Sequence, residues 1–501
     1  MDALKLPRFP MLIVLLIALL GATIPVTTKA AKAELDIHTI NRDISQLGNI
    51  ESCADNKQQE ISDIKTSEAI NPMEQQELQE RKQKLFSDID KLYSFLKHLP
   101  AAVSCFGGSR LQAEDSYYPL IEKINQGLAE KHGRPRVGGR GGVMSFVADS
   151  FIKARDLQLQ HARTQSVDLD RWYSPHTSLD HYIDVQLMPI RKFGLIANTT
   201  GQLCFAGGFG TMDEIFEIWN RSMQGRNSAK MAAVGKEFWE PIYKSLEQVS
   251  VRERPLITLS EWQAMQEHLP ILDNPQEILG RLPTSTLPVF EEAADPETLA
   301  QNLKNDFEQG YQAIMHGPKV VTFLAGKRLS KEDPSCQLAS QLAMHLLNKN
   351  TPLRINGAPG LAAALSEAIT LSGKHSTPLK AIIDPEMENE LSKIDHLKTL
   401  YATKESLVRN ELLTQHTQAV VVLPGDLDSL NTLFSFIDQL QLNLLTPPPK
   451  LILVGKEYWT PLFDALKNSM LSEKRQLSSM QNFNSLQIVD RVEDAISIIS
   501  Q

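Results

Sequence analysis

Short apolar runs alternate with longer amphipathic stretches along the chain from about residue 100 onwards. The run Ala101–Phe106 precedes a stretch with helical spacing at Tyr118–Lys131, and Val320–Leu324 precedes another at Gln337–Asn348. Continuous apolar runs of this length are typical of strands that are buried on both faces of a parallel sheet. The pattern predicts an α/β fold with parallel sheets, in which ligands bind at the carboxyl ends of the strands.

The sequence from residue 100 onwards repeats itself at an offset of 218 residues. Three pairs of segments share this offset: Val103–Leu111 with Val321–Leu329, Val137–Val143 with Ile355–Leu361, and Ala206–Thr211 with Pro424–Ser429. One unbroken offset over such distances indicates a tandem duplication. We therefore predict two domains, at 100–283 and 317–501, joined by a linker and a helix at 284–316.

The N-terminus has the charge and hydropathy pattern of a secretory signal peptide. Lys5 and Arg8 precede the apolar run Met11–Val26, and small residues follow up to Ala33. The run is shorter than the roughly 20 residues that span a bilayer, so we predict a signal peptide over 1–33 that is cleaved after export. If it were not cleaved it would anchor the protein in the membrane, and the alternative to export is a cytoplasmic protein.

The segment 34–99 is polar and carries two helical stripes of apolar residues, separated by Asn71 and Pro72. The stripes are formed by Ile37, Ile40, Ile44 and Leu47, and by Leu78, Leu85, Ile89, Leu92 and Leu96. This spacing predicts a helical hairpin that covers the next domain. A partner-binding coiled coil is the alternative, because the spacing is close to a heptad.

Composition and charge exclude some classes of function. A chain of 501 residues is long enough for about three globular units. Its net charge of -9, without long blocks of like charge, argues against binding of a nucleic acid polymer. The four cysteines, Cys53, Cys105, Cys204 and Cys336, match no zinc spacing. We expect buried thiols there and no metal site.

A glycine-rich turn in the first repeat is the first candidate for a binding site. Gly207, Gly208 and Gly210 follow a short apolar run and precede a helix that we predict to start near Thr211. Glycines allow a close approach of the backbone, and a helix N-terminus offers N–H groups to a phosphate. The alternative is purely structural, because Thr211 and Glu214 have the spacing of a capping box.

Four glycine- and arginine-containing motifs occur in a fixed order: Phe106–Arg110, Gly138–Met144, Arg191–Lys192 and Gly207–Glu214. This set resembles the LOG family of nucleotide phosphoribohydrolases, whose members are often mislabelled lysine decarboxylases. The resemblance implies a Rossmann-like fold in both repeats and hydrolysis of the N-glycosidic bond of a nucleoside 5′-monophosphate. It also implies dimers with pockets near the subunit interface, and no cofactor.

The same resemblance implies roles for individual residues. Arg191 and Glu214 would form the catalytic pair, although Arg191 is alternatively a surface arginine, and Lys192 is expected to be a solvated neighbour. A carboxylate fits this chemistry because departure of the base leaves positive charge on the ribose. Phosphate would bind at Gly207, Gly208, Gly210 and Thr211, and the rest of the nucleotide at Gly138, Gly139, Gly142, Ser109 and Arg110.

Two residues of the first repeat depart from the family pattern. Ala206 replaces a proline, which loosens a turn at modest cost, and Arg140 stands where the family has a glycine. A long cation at this point either contacts the phosphate or fills the space that the nucleotide needs. The sequence leaves both alternatives open.

The second repeat departs much further. Arg409 corresponds to Arg191, but Thr432 stands in place of Glu214, Asp426 in place of Gly208, and Asp428 in place of Gly210. Two carboxylates would repel a phosphate, so we predict that the second repeat is catalytically inactive. Its expected role is to pair with the first repeat inside one chain, as a built-in partner, with a homodimer as the alternative.

Three hypotheses for function follow. The first is a nucleoside monophosphate glycosidase with one active site per chain. The second is a non-catalytic nucleotide-binding or scaffold protein of the same fold. A lysine decarboxylase that uses pyridoxal phosphate comes third, since nothing in the sequence marks a Schiff-base lysine.

The signal-peptide pattern generates the first testable prediction. We expect the mature protein to begin near Glu34, because the small residues up to Ala33 suit a signal peptidase. N-terminal sequencing or intact-mass measurement of protein from its native host checks this. A cytosolic product that retains Met11–Val26 would contradict it.

Overall fold

The computed structural model describes residues 71–501 except 113, 158–163, 170–178, 286, 291–294 and 473. The predicted signal segment Met11–Val26, the first helical stripe and Cys53 therefore lie outside the described residues. None of the helices in the described part of the chain has an apolar stretch long enough to cross a bilayer.

The first repeat consists of seven strands and the helices that connect and cover them. In chain order these are α1 (Pro72–Leu96), β1 (Ala102–Phe106), α2 (Tyr117–Glu130), β2 (Pro135–Val137), α3 (Gly142–Leu157), β3 (Gln165–Leu169), β4 (His181–Val185), α4 (Met188–Ile196), β5 (Thr199–Cys204), α5 (Phe209–Met223), β6 (Lys230–Val234), α6 (Lys236–Glu247), α7 (Leu259–His268), β7 (Ile271–Leu272) and α8 (Pro275–Arg281). A π-helical turn, Gln248–Arg252, continues α6.

The second repeat has the same succession of strands. It contains α9 (Pro296–Ile314), β8 (Val320–Leu324), α10 (Pro334–Asn348), β9 (Leu353–Ile355), α11 (Pro359–Leu371), β10 (Leu379–Ile383), α12 (Glu388–Leu391), β11 (Leu397–Ala402), α13 (Ser406–Thr414), β12 (Thr417–Val422), α14 (Leu427–Gln441), β13 (Lys450–Val454), α15 (Lys456–Met470), α16 (Met480–Asn484), β14 (Gln487–Val489) and α17 (Val492–Ser500). A short 3-10 helix, Pro385–Met387, precedes α12.

The strands form two seven-stranded parallel sheets with the same topology. The first has the order β4-β3-β2-β1-β5-β6-β7, and the second has the order β11-β10-β9-β8-β12-β13-β14. Even the register repeats, since Val103 pairs with Pro135 and Gly201 while Val321 pairs with Leu353 and Ala419. The predicted α/β fold with two tandem parallel sheets is confirmed. In each sheet the chain reverses its direction of growth beside the first strand, at β1 and β5 or at β8 and β12.

The helix before each sheet is also part of the repeat. Within 71–99 the structure has the single helix α1, which packs against α9, the equivalent helix of the second repeat. In both repeats a leucine packs on a glycine of a neighbouring helix, but the leucine and the glycine have exchanged helices. Leu92 of α1 packs on Gly194 of α4, whereas Leu412 of α13 packs on Gly310 of α9. Leu92 is equivalent to Gly310, and Gly194 is equivalent to Leu412, so the contact is conserved with its two partners exchanged.

Helix α4 is held by charged groups at both of its ends. The buried carboxylate of Asp88 accepts hydrogen bonds from the N–H groups of Gln186 and Leu187, at 2.8–3.0 Å, just before the helix begins. The buried guanidinium of Arg136 donates to the carbonyl oxygens of Gly194, at 3.0 Å, and of Ala197 at its end. An anion at the N-terminus and a cation at the C-terminus both interact favourably with the helix dipole and stabilise the helix.

The two repeats pack against each other through α5 and α14. Phe216 and Phe434, which are equivalent residues, stack with their rings 4.7 Å apart and 1° from parallel. Both are buried, as are Trp219 on α5 and Phe209 at its start. Stacking of equivalent residues is the geometry of an isologous interface, here within one chain.

The cysteines in the described residues are buried, as predicted. Cys105, Cys204 and Cys336 are each at most 2% exposed and carry free thiols. Burial raises the pKa of Cys105 to about 12, so this thiol is unreactive at neutral pH.

The Leu92 and Gly194 contact gives a prediction for stability. Gly194→Leu should lower the melting temperature, because overpacking of a core typically costs 1–3 kcal/mol. Adding Leu92→Gly should recover much of this loss, since it restores the arrangement that the second repeat uses. Gly280→Leu is the matched control, because Gly280 faces open space in a helix. Thermal melting that shows additive losses in the double variant would contradict the prediction.

Candidate active site

The glycine-rich turns of the first repeat meet at the carboxyl edge of its sheet. The turns after β1, β2 and β5 surround a cavity of about 310 Å³. This edge, where β1 and β5 run to opposite halves of the sheet, is the position at which doubly wound folds bind ligands.

Most of the predicted site residues line this cavity. They are Ser109, Arg110, Gly138, Arg191, Gly208, Gly210, Thr211 and Glu214. Gly139, Gly142 and Gly207 shape the turns instead. Gly142 has a φ of +47° and lies against the carbonyl oxygen of Gly108, where a side chain would not fit. At Gly207 a side chain would collide with Thr211.

Helix α5 begins earlier than predicted, and the capping box is wrong. The helix starts at Phe209, with Gly208 as the N-cap and without a side-chain cap. Thr211 therefore lies inside the first turn, too late to cap the helix. Glu214 is consequently not a capping residue, and its side chain lines the cavity.

Arg191 and Glu214 face each other in the cavity. Arg191 Nη1 lies 3.5 Å from Glu214 Oε1, and Arg191 Nη2 donates to the carbonyl oxygen of Gly138. The two residues are only 5% and 8% exposed, so Arg191 is not a surface arginine. Burial raises the pKa of Glu214 to about 7, although the charge of Arg191 acts in the opposite direction. A carboxyl group with this pKa can exchange a proton at neutral pH.

The prediction for Lys192 is wrong, because this side chain is buried rather than solvated. Lys192 is 1% exposed. Its Nζ lies 2.8 Å from Asp213 and 3.2 Å from Glu217 on α5, and 3.5 Å from Ser435 Oγ on α14. Burial lowers the pKa of Lys192, but these two carboxylates outweigh it and raise the pKa overall. Lys192 thus remains an ammonium that joins the two repeats.

Two charged side chains of the cavity have positions that the sequence did not settle. Arg140 is exposed and lines the cavity. Asp168, at the end of β3, was missed. Burial raises the pKa of Asp168, and the charges of Arg191 and Arg140 act against this. Its signal in the sequence is a lone acid near the end of a short buried strand.

The second repeat supplies one wall of the same cavity. Its residues there are Asp438 and Gln441 of α14 with Leu442, Leu477, Ser478 and Asn482. None of them was predicted from the sequence, because each lies more than 200 residues from the motifs of the first repeat. The offset was the available signal, since Asp438 is an acid at the position equivalent to Asn220.

In the second repeat a carboxylate lies at the glycine-rich turn equivalent to that of the first. Asp426 Oδ2 accepts a hydrogen bond from the N–H of Lys327 at 2.8 Å, and Asp426 Oδ1 accepts one from the N–H of Ser429 at 3.1 Å. Lys327 and Ser429 are equivalent to Ser109 and Thr211 of the first repeat. The side chain of Asp426 thus makes the backbone contacts that an anionic ligand makes at a helix N-terminus.

The remaining groups of the second site are also paired with each other. Arg409 Nη2 donates to Asp428 Oδ1 at 2.7 Å, and Asn220 Nδ2 donates to the same oxygen at 2.9 Å. Thr432, in place of Glu214, donates to Asn410 Oδ1 at 2.7 Å. The arginine of this site is therefore neutralised by the protein itself.

Comparison with known families gives a match to both repeats. The family model described as "Possible lysine decarboxylase" matches residues 123–282 and 363–499, which together are more than half of the chain. The chain belongs to this family. It is the LOG family that the sequence motifs resemble, and each repeat is matched separately, as expected of a tandem duplication. Among curated proteins, none matches the chain.

The residues of the cavity do not suit the decarboxylase chemistry in the family's description. A Schiff-base lysine needs a lowered pKa so that its amine can attack a carbonyl group. No lysine is found among the described residues that line the cavity. The nearby Lys192 has a raised pKa and is enclosed by Asp213 and Glu217.

The raised pKa of Glu214 predicts how stability depends on pH. Its folded-state pKa of about 7 exceeds its usual 4.5, so the protonated side chain is stabilising below pH 4.5 and this contribution is lost as the pH rises through 7. Glu214→Gln stays neutral, and it should raise the melting temperature at pH 8.5 but not at pH 5.

Glu217→Gln, three residues further along α5, is the matched control. The pKa of Glu217 is lowered, because Lys192 and Arg221 outweigh the effect of burial. Its removal should therefore lower the melting temperature at pH 8.5. Equal shifts for the two variants across this pH range would contradict the prediction.

Proposed function

We propose that the first repeat hydrolyses the N-glycosidic bond of a nucleoside 5′-monophosphate, giving free base and ribose 5-phosphate. The observation that carries this proposal is the position of Asp426 in the second repeat. Its carboxylate binds two backbone N–H groups whose equivalents in the first repeat belong to Ser109 and Thr211. The first repeat has Gly208 in place of Asp426, so this turn places no side chain of its own at the equivalent position, and Gly208, Ser109 and Thr211 line the cavity there.

The phosphate of the substrate would take this position. The N–H groups of the first turn of α5 have no partner within the helix, and the helix dipole favours an anion at this end. Arg110 and Arg140, both exposed at the cavity, add positive charge beside it. Of the two alternatives for Arg140, we propose that it contacts the phosphate.

Glu214 and Arg191 would then act on the ribose. As the bond between C1′ and the base nitrogen breaks, the electron pair leaves with the base and positive charge develops on the ribose ring. The carboxylate of Glu214 stabilises this charge and accepts a proton from the water that attacks C1′. This proton balances the one that the departing base nitrogen takes up. Arg191, 3.5 Å away, orients the carboxylate.

The second repeat would serve as the partner subunit rather than as a second enzyme. Asp426 fills its anion position, and Asp428 pairs with its arginine, Arg409. What this repeat offers instead is the wall that completes the first cavity. We propose that this pairing replaces the dimer of the family.

The proposal is tested by a screen of the common nucleoside 5′-monophosphates with the purified chain, in which released base is measured. We expect Glu214→Gln to lower kcat by a factor of roughly 100 or more, as for loss of one group that stabilises a transition state. Thr432→Val, at the equivalent position of the second repeat, is the matched control and should leave kcat unchanged.

A Glu214→Gln protein that releases base at the wild-type rate would contradict the assigned role of Glu214. Binding of nucleotides without release of base from any of them would favour the alternative function, a nucleotide-binding protein without catalysis. An adenosine control distinguishes the phosphate requirement, because the proposed site should not act on a nucleoside.

A further inference from the structure

Each repeat extends one side chain of its interface helix over the site of the other repeat. Asn220 of α5 lines the second cavity, and its equivalent Asp438 of α14 lines the first. Asn220 and Asp438 differ only in an amide against a carboxyl group, so the contacts of these two side chains can be compared directly between the two sites.

In the second cavity this side chain has a partner from the protein. Asn220 Nδ2 donates to Asp428 Oδ1, an oxygen that also binds Arg409. In the first cavity the residue equivalent to Asp428 is Gly210. Asp438 Oδ1 lies 3.2 Å from the point where a Cβ atom of Gly210 would stand. The first site therefore lacks the carboxylate that Asn220 and Arg409 contact in the second, and Asp438 has no such partner at this turn.

Asp438 also has an unsatisfied oxygen atom. Its side chain is buried, with the residue 4% exposed, and Oδ2 has no hydrogen-bond partner among the described residues. A buried polar atom without a partner is destabilising. A group bound in the cavity would remove this destabilisation.

We propose that Asp438 of the second repeat is a ligand-binding residue of the first site, and that its carboxyl group donates a hydrogen bond to an oxygen of the substrate phosphate beside Arg191. The bound phosphate oxygen takes the place that Asp428 Oδ1 has in the second site. The inference rests on the proposed function for the identity of the ligand, but not for the position of the contact.

The surroundings of Asp438 favour the protonated form that this contact requires. Burial, followed by the carboxylates of Asp213 and Glu214 on α5, raises the pKa of Asp438 to about 8, while Arg191 and Lys192 on α4 act in the opposite direction. At pH 7 the O–H of the carboxyl group can therefore donate a hydrogen bond to a phosphate oxygen. Above pH 8 it becomes an anion that repels the phosphate.

The test is binding of ribose 5-phosphate to the full chain, measured by calorimetry between pH 6.5 and 9. Wild-type affinity should fall by about 10-fold or more as Asp438 ionises. Asp438→Asn keeps an N–H donor at every pH and should remove most of this fall. Comparing the two profiles separates Asp438 from Glu214, which titrates in both proteins. Asp438→Leu, without a donor, should bind about 10-fold more weakly at pH 7.

Asp426→Asn makes the same change in the second site and is the matched control, with an unchanged profile expected. Parallel pH profiles for wild type and Asp438→Asn would overturn the inference, as would absence of ribose 5-phosphate binding. Affinity that rises with pH in the wild type alone would also overturn it, because an ionised Asp438 would then accept a bond from a ribose hydroxyl.

The outcomes for this contact and for the proposed function are distinct. If the affinity for ribose 5-phosphate depends on pH through Asp438 but the chain releases no base from any nucleotide, the contact is supported and the proposed reaction is contradicted. If the chain releases base and the Asp438 variants have the KM and the pH profile of the wild type, the reaction is supported and the contact is contradicted. Melting temperatures of both variants show whether they are folded.

Discussion

The packing of α5 against α14 is the interaction on which the candidate site depends. Phe216 and Phe434 stack about a local two-fold relation between the repeats, and this sets the direction in which each helix faces. The N-terminus of α5 thereby lies beside α14, whose Asp438 completes the cavity. A parallel sheet with open turns at its edge would leave the same glycines exposed to water. The apolar contact between repeats is what encloses them.

Burial of charge has opposite consequences at different points of this interface. Lys192 and Glu217 are fully paired, and Glu217 also accepts hydrogen bonds from Ser406 and Asn431 of the second repeat. These charged hydrogen bonds across the interface help to fix how the repeats pack against each other. Glu214 and Asp438, by contrast, are buried with raised pKa values, and Asp438 Oδ2 has no hydrogen-bond partner among the described residues. Buried acids with raised pKa values beside a cavity are typical of a functional site.

The fold could be predicted from the sequence because its signals are local or periodic. Buried runs such as Lys450–Val454 indicate strands by themselves, and the constant offset indicates the duplication. Burial of Lys192 was not predictable, because nothing in its own segment shows that carboxylates on α5 surround it. The predicted capping box was wrong because α5 begins at Phe209, before Thr211. The glycines of the turn are compatible with a helix that begins at either residue. The position of Asp438 in the first cavity depends on how the two repeats pack, and a local sequence pattern does not show this.

Joining the two copies in one chain changes the dependence of the site on protein concentration. In a dimeric relative the wall of the pocket would come from another molecule, and it would be lost when the subunits separate on dilution. Here the linker holds the second copy at a high effective concentration beside the first. Under the proposed function, the copy that supplies the wall would not need to bind substrate itself. The carboxylates of Asp426 and Asp428 bind backbone N–H groups and Arg409 of their own repeat instead, so that the second copy neutralises its own site.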